Sequence, residues 1–162
     1  MIRIRYSQGE YEVAGSPADL RSVAERLKSL ALVGAEEVLV CDVAFDPVPY
    51  SALLPRLKLI KKEGRDRVSA SAEELTISGS SQGLLRFASF FEMPDDADDG
   101  WHEHHEFFPG NDFVATDSLP LVISVERNRP NLKSDEVQTT VRARIAFATR
   151  NLPNGPLNRR NF

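Results

Sequence analysis

This chain is poor in the features that most directly mark a reaction or a compartment. It has one cysteine, Cys41, in 162 residues, so no disulfide can form within it. That suits a reducing environment, and the cytoplasm is the expected location. No run approaches the ~20 apolar residues of a membrane span. The longest apolar stretches, 30–33 and 37–41, are short and bounded by charge. The first six residues, Met-Ile-Arg-Ile-Arg-Tyr, alternate apolar and basic side chains, as a strand does and a signal peptide does not. There is no Gly-x-Ser-x-Gly elbow. The stretch Gly79-Ser80-Ser81-Gln82-Gly83 lacks the glycine spacing and the lysine of a phosphate loop. No cofactor is expected. The formal net charge of −4 disfavours general binding to phosphate backbones. Without an aromatic platform, Arg142, Arg144, Arg150, Arg159 and Arg160 read as a solvated strand face and tail, so no direct nucleic-acid contact is expected.

What the chain does contain is a pattern used twice. The length fits one domain. Residues 2–62 align without a gap on 66–126 at an offset of 64. Eight positions are identical, among them Arg3/Arg67, Gly15/Gly79, Ser16/Ser80, Leu20/Leu84 and Leu57/Leu121. Apolar character agrees at further places, such as Val13/Ile77, Val23/Phe87 and Leu59/Ile123.

Each half predicts the same order. Alternating strands at 2–6 and 67–71 are followed by polar turns and second strands that run into Gly-Ser, which suggests hairpins. A helix comes next. Ser16 can cap the first, Pro17 fits its first position and Asp19 its first turn. Leu20, Val23, Ala24, Leu27, Leu30 and Ala31 then recur at helical spacing. Ser80 or Ser81 starts the second, with Leu84, Phe87, Ala88 and Phe91 as its stripe and Pro94 beyond its end. Strands are expected at 37–43 and 101–108, and again at 56–61 and 119–126. The expected fold is α+β, an antiparallel sheet with two helices on one face, built from two similar β-β-α-β-β units. The buried set should include Leu20, Val23, Leu27, Val38, Val40, Leu57, Leu84, Phe87, Phe91 and Ile123. Ser134-Asp135-Glu136 would also start a helix, but the alternation of Val141, Ala143, Ile145 and Phe147 with Arg142 and Arg144 favours an extra strand over 137–149. The single domain then covers 1–150, and 151–162 is a loose tail.

Chemistry concentrates at 95–106. Asp95, Asp96, Asp98 and Asp99 make a dense acidic loop beside Trp101. Such a patch speeds and selects the docking of a basic protein, and the tryptophan can anchor it. With Glu103 and Glu106 these form the candidate partner surface. All three histidines follow, in Trp101-His102-Glu103-His104-His105-Glu106. On a strand His102, His104 and Glu106 share a face and could together hold a metal ion, structural or catalytic. The order differs from the His-Glu-x-x-His helix of zinc enzymes. At the 64-residue offset His102 and His104 fall on Val38 and Val40. Either the register differs there, or that face meets a partner. Cys41, inside an apolar strand, reads as an inert thiol. A third class is a structural protein that self-assembles through an open sheet edge.

Residues 75–126 resemble the small α+β immunity proteins of bacterial polymorphic-toxin systems. The likeness rests on Ile77-Ser78-Gly79-Ser80 leading into Leu84 and Phe87, on His104-His105-Glu106-Phe107-Phe108, and on Ser118-Leu119-Pro120-Leu121-Val122-Ile123. It implies a non-enzymatic protein that binds and neutralises a cognate toxin, often a nuclease. The doubled pattern and the C-terminal extension depart from the short single unit.

Overall fold

Alternating residues and tight turns produce the hairpins that the sequence predicts. The computed structural model describes residues 1–44 and 47–127. Strand β1 (Arg3–Ser7) turns into β2 (Glu10–Gly15) through Gln8 and Gly9, both at positive φ, the conformation of a two-residue hairpin loop. Helix α1 (Pro17–Val33) starts at the Ser16 cap, whose side chain accepts from the Asp19 N–H at 3.2 Å, with Pro17 in its first turn. Strands β3 (Glu36–Val40), β4 (Ala52–Leu54) and β5 (Arg56–Lys61) complete the first half. The second half runs β6 (Arg67–Ala70), β7 (Glu74–Gly79), α2 (Ser81–Phe91), β8 (His102–His105) and β9 (Leu121–Val125). The expected strands at 37–43 and 101–108 are shorter than the pattern suggested, and β4 was not anticipated. The strand expected at 137–149 and the tail at 151–162 lie outside the described residues.

The halves do not each close a sheet of their own. One sheet has the order β4-β1-β2-β9-β8 and the other β3-β5-β7-β6. Each sheet therefore takes one hairpin from each half. The joins are parallel, β2 with β9 and β5 with β7, while the remaining pairings are antiparallel. The single antiparallel sheet of the sequence reading is thus replaced by two mixed sheets. Periodicity states which residues face inward, but it does not state which strand pairs with which.

The 64-residue offset relates the registers of these joins. Tyr11↔Leu121 corresponds to Leu75↔Leu57, and Arg3↔Ala14 to Arg67↔Ser78. The last hairpin breaks the rule by two residues. Leu57 faces Leu39, whereas Leu121 faces His105. His104 therefore takes the place of Val38, not of Val40. The register does differ, but by an even step that keeps the face; no core valine is exchanged for histidine because Val38 and Val40 are themselves exposed.

Helices α1 and α2 pack on each other. The first also touches β2 and β5, the second β7 and β8, so the pair meets both sheets. The core fills this junction. Leu20, Leu27, Leu57, Leu59, Leu75, Ile77, Leu84, Phe87, Phe91 and Ile123 are all fully buried. Each such side chain contributes about 1.5–3 kcal/mol by leaving water. Val38 and Val40 do not join them; they are 46% and 75% exposed. Strand β3 is an edge strand whose inward residue is Leu39, and its valines point to the solvent face. The β6 edge is covered instead. Val68 bonds Leu119 and Ser118 (both 2.9 Å), and Asp66 bridges Val114.

Candidate functional site

The outer face of the five-stranded sheet carries a charged network whose central groups are buried while its rim is exposed. Alternation in β1 turns Ile4 inward and Arg3 and Arg5 outward. Register then sets two rows across the sheet. One reads Arg5, Glu12, Val122, His104; the other reads Arg3, Ala14, Ser124, His102. Arg5, only 4% exposed, donates from Nη1 to Glu12 at 3.1 Å and pairs through Nη2 with Glu126. Arg3 donates to Glu126 at 2.9 Å and to Asp42 at 3.3 Å. Ser124 donates to the other Glu12 oxygen at 2.5 Å. Tyr50 closes the end, its ring centroid 5.0 Å from the Arg5 guanidinium. Burial works against the Arg5 charge, but Glu12, Tyr50 and Glu126 together outweigh it and raise its pKa. Burial, reinforced by Glu12, pushes the Tyr50 phenol up, so it stays protonated at neutral pH.

Between these walls runs a groove of about 370 Å³, lined by Arg5, Glu10, Glu12, Tyr50, Asp99, His102, His104 and the β9 residues Val122 and Ser124 among others. Short side chains on β9 leave the depression, and longer ones on β2 and β8 form its lips. In the other sheet the register positions of Val122 and Ser124 are taken by Lys58 and Ile60, and Lys58 pairs with Glu36 at 3.1 Å.

The residues singled out in the sequence divide between two places. Asp99, His102 and His104 reach the groove. Asp95 instead pairs with Arg21, and its carbonyl accepts from Arg127. Arg127 also donates its N–H to the Asp99 carboxylate at 2.9 Å and its Nε to the Ala97 carbonyl at 2.7 Å. Met93 and Ala97 are buried. The acidic loop is therefore strapped down at both ends, although all four of its carboxylates are exposed. Asp96 and Asp98 are exposed, Trp101 is half exposed, and Glu103 and Glu106 are exposed. Glu106 lies past the end of β8 and is not among the residues that line the groove. Those two rings stand 5.0 Å apart and nearly perpendicular. Among the described residues, no group of three or more His, Cys, Asp and Glu converges to hold a metal ion.

His105 belongs to the opposite, inner face. It stacks on Phe87 at 4.2 Å and meets the Phe90 edge at 5.5 Å, and its Nδ1 is buried without a hydrogen bond. Burial, the largest influence, holds its pKa below the ordinary value; nearby Asp66 opposes this and Arg86 assists. Asp66 is itself buried and takes Arg86 Nε and Nη2 at 3.0 and 3.1 Å. Cys41 is buried just beyond β3, and burial pushes its thiol up to about 12, which removes the thiolate a nucleophile needs.

Sequence reasoning missed Arg5, Glu10, Glu12, Tyr50 and Glu126. The alternation of Arg3 and Arg5 against Glu10 and Glu12 across a two-residue turn was a readable signal for part of the network. Glu126 and the histidines join it only through the β2–β9 pairing.

The fold is that of an α+β protein with a charged network on the outer face of its five-stranded sheet. The sequence matches the immunity protein 32 family over residues 10–45 and 74–127, more than half of its length, and the chain belongs to that family. Comparison with curated proteins and with solved structures returned no match. None of the described helices is long and apolar enough to cross a membrane.

Proposed function

We propose that this chain is a non-catalytic immunity protein that binds a cognate bacterial toxin in the cytoplasm and neutralises it by occlusion. Membership of the immunity protein 32 family is the observation that carries this reading. The partner surface is assigned to Asp95, Asp96, Asp98, Asp99, Trp101, Glu103 and Glu106, which are exposed and carry a dense negative charge. A nuclease is the toxin class that fits best, because it needs a basic surface for its substrate. Carboxylates can cover that surface without any covalent step.

The test is direct. The product of the neighbouring reading frame should form a stoichiometric complex with this protein, and co-expression should rescue growth. Replacing the four aspartates by asparagine should slow association and flatten its salt dependence. Replacing Trp101 by alanine should speed dissociation. A neighbouring toxin that binds the unaltered protein, and binds both variants equally well, would remove this surface from the reading.

A further inference from the structure

We infer that the groove on the outer face of the five-stranded sheet receives a lysine or arginine side chain from the partner protein. The inference rests on the toxin-binding reading and names the contact within it. Three features carry it. First, charge: among the described residues, Glu10, Glu12, Asp99 and Glu126 line the groove against one guanidinium, Arg5, and Arg3 backs Glu126 from outside. Even with Arg3 counted, carboxylates outnumber cations, and Glu10 makes no ion pair among the described residues. Second, shape: the floor is made by Val122 and Ser124, whose short side chains sit below the carboxylates and imidazoles of the lips. An aliphatic stem fits such a floor while its charged head reaches the acidic rim. The Tyr50 ring at the closed end already carries the Arg5 guanidinium. Third, contrast: in the four-stranded sheet the floor positions are Lys58 and Ile60, and Lys58 already supplies a cation on that face from within the chain. The open, acidic version belongs to the five-stranded sheet. It is rigid because its walls are strands and its deepest charges are mutually bonded, so a guest side chain need not order them.

The experiment measures binding of the full-length chain to the purified product of the neighbouring reading frame. The variants are Glu10→Lys, His104→Lys and Val122→Lys, with Glu63→Lys as an exposed charge-matched control outside the groove. Thermal unfolding confirms that each variant is folded. Glu10→Lys is exposed and at a strand end, so it keeps the test decisive even if Val122→Lys fails to fold. The expected result is a loss of at least tenfold in affinity for each groove variant, with the control within twofold of the parent. Parent-like binding by Glu10→Lys and His104→Lys would overturn the groove assignment and leave the toxin reading standing. No binding by the parent itself would overturn the toxin reading, and the groove assignment with it.

Discussion

Gly83→Ala offers the sharpest test of the packing around the second helix. Gly83 lies in the first turn of α2, where alanine is ordinarily favoured over glycine by up to about 1 kcal/mol. Here a Cβ would lie 2.0 Å from the Asp66 Oδ1 and 3.1 Å from its Cγ. Asp66 has little room to yield. Its N–H donates to the Phe113 carbonyl and its own carbonyl accepts from Ala115, both at 2.9 Å. Its two carboxylate oxygens hold Arg86. The substitution must therefore push a buried carboxylate off its partner. Breaking a buried pair costs about 3–5 kcal/mol. The Arg86 side chain is 36% exposed and can regain water, so the lower end applies. Subtracting the helix gain leaves a net loss of about 2 kcal/mol, or roughly 4–8 °C in Tm for a chain of this size. Urea unfolding followed by circular dichroism would measure it. The same glycine substitution made in an Asp66→Ala background should be neutral or stabilising, because the clash is gone. If Gly83→Ala alone raises the unfolding midpoint, the carboxylate is not seated as described and the reasoning fails.

Other consequences can be checked by similar means. Truncating Phe87, fully buried and stacked on His105, should cost about 3–5 kcal/mol in equilibrium unfolding, and Leu27→Ala about 2–5 kcal/mol. The folded pKa of His105 lies below the ordinary 6.5, so its neutral form is fully accommodated above that value. As pH falls below 6.5 the unfolded chain takes up the proton first, and stability declines across the window down to the depressed folded value. His105→Leu should remove this part of the acid-side slope; an unchanged slope would show that the imidazole is not the cause. Cys41 in the native protein should react with Ellman's reagent at pH 8 far more slowly than in denaturant, and rapid native labelling would contradict its burial.

The helices were legible because each carries its own punctuation and its own period. Ser16 caps the first as the sequence indicates and Ser80, one of two candidates, the second; the apolar stripes are buried, except that Phe90, which widens the second, is only half-buried. The hairpins were legible for the same local reason. The core list failed at Val38 and Val40, where alternation states that two faces exist but not which of them is inward. The candidate site was legible only as the acidic loop and the histidine run. Asp99, His102 and His104, singled out in the sequence, line the groove, while Arg5, Glu10, Glu12 and Tyr50 came from segments some 50 to 100 residues distant.

Sequence alone determined the element order apart from β4, the two helices and the cap of the first, the buried cysteine and the resemblance to immunity proteins, since each depends on near neighbours or on composition. Tertiary structure decided the parallel joins, the exchange of hairpins between the halves, the two-residue register shift of β8 on β9, and which face of β8 is inward, so that His104 lies on the outer face and His105 in the core. The reason lies in the strand itself. A strand's backbone donors and acceptors are alike along its length and accept any partner, so register is chosen by the packing of both faces at once. That choice placed Glu12 and His104 on either side of Val122, and made a groove from residues that are remote in the chain.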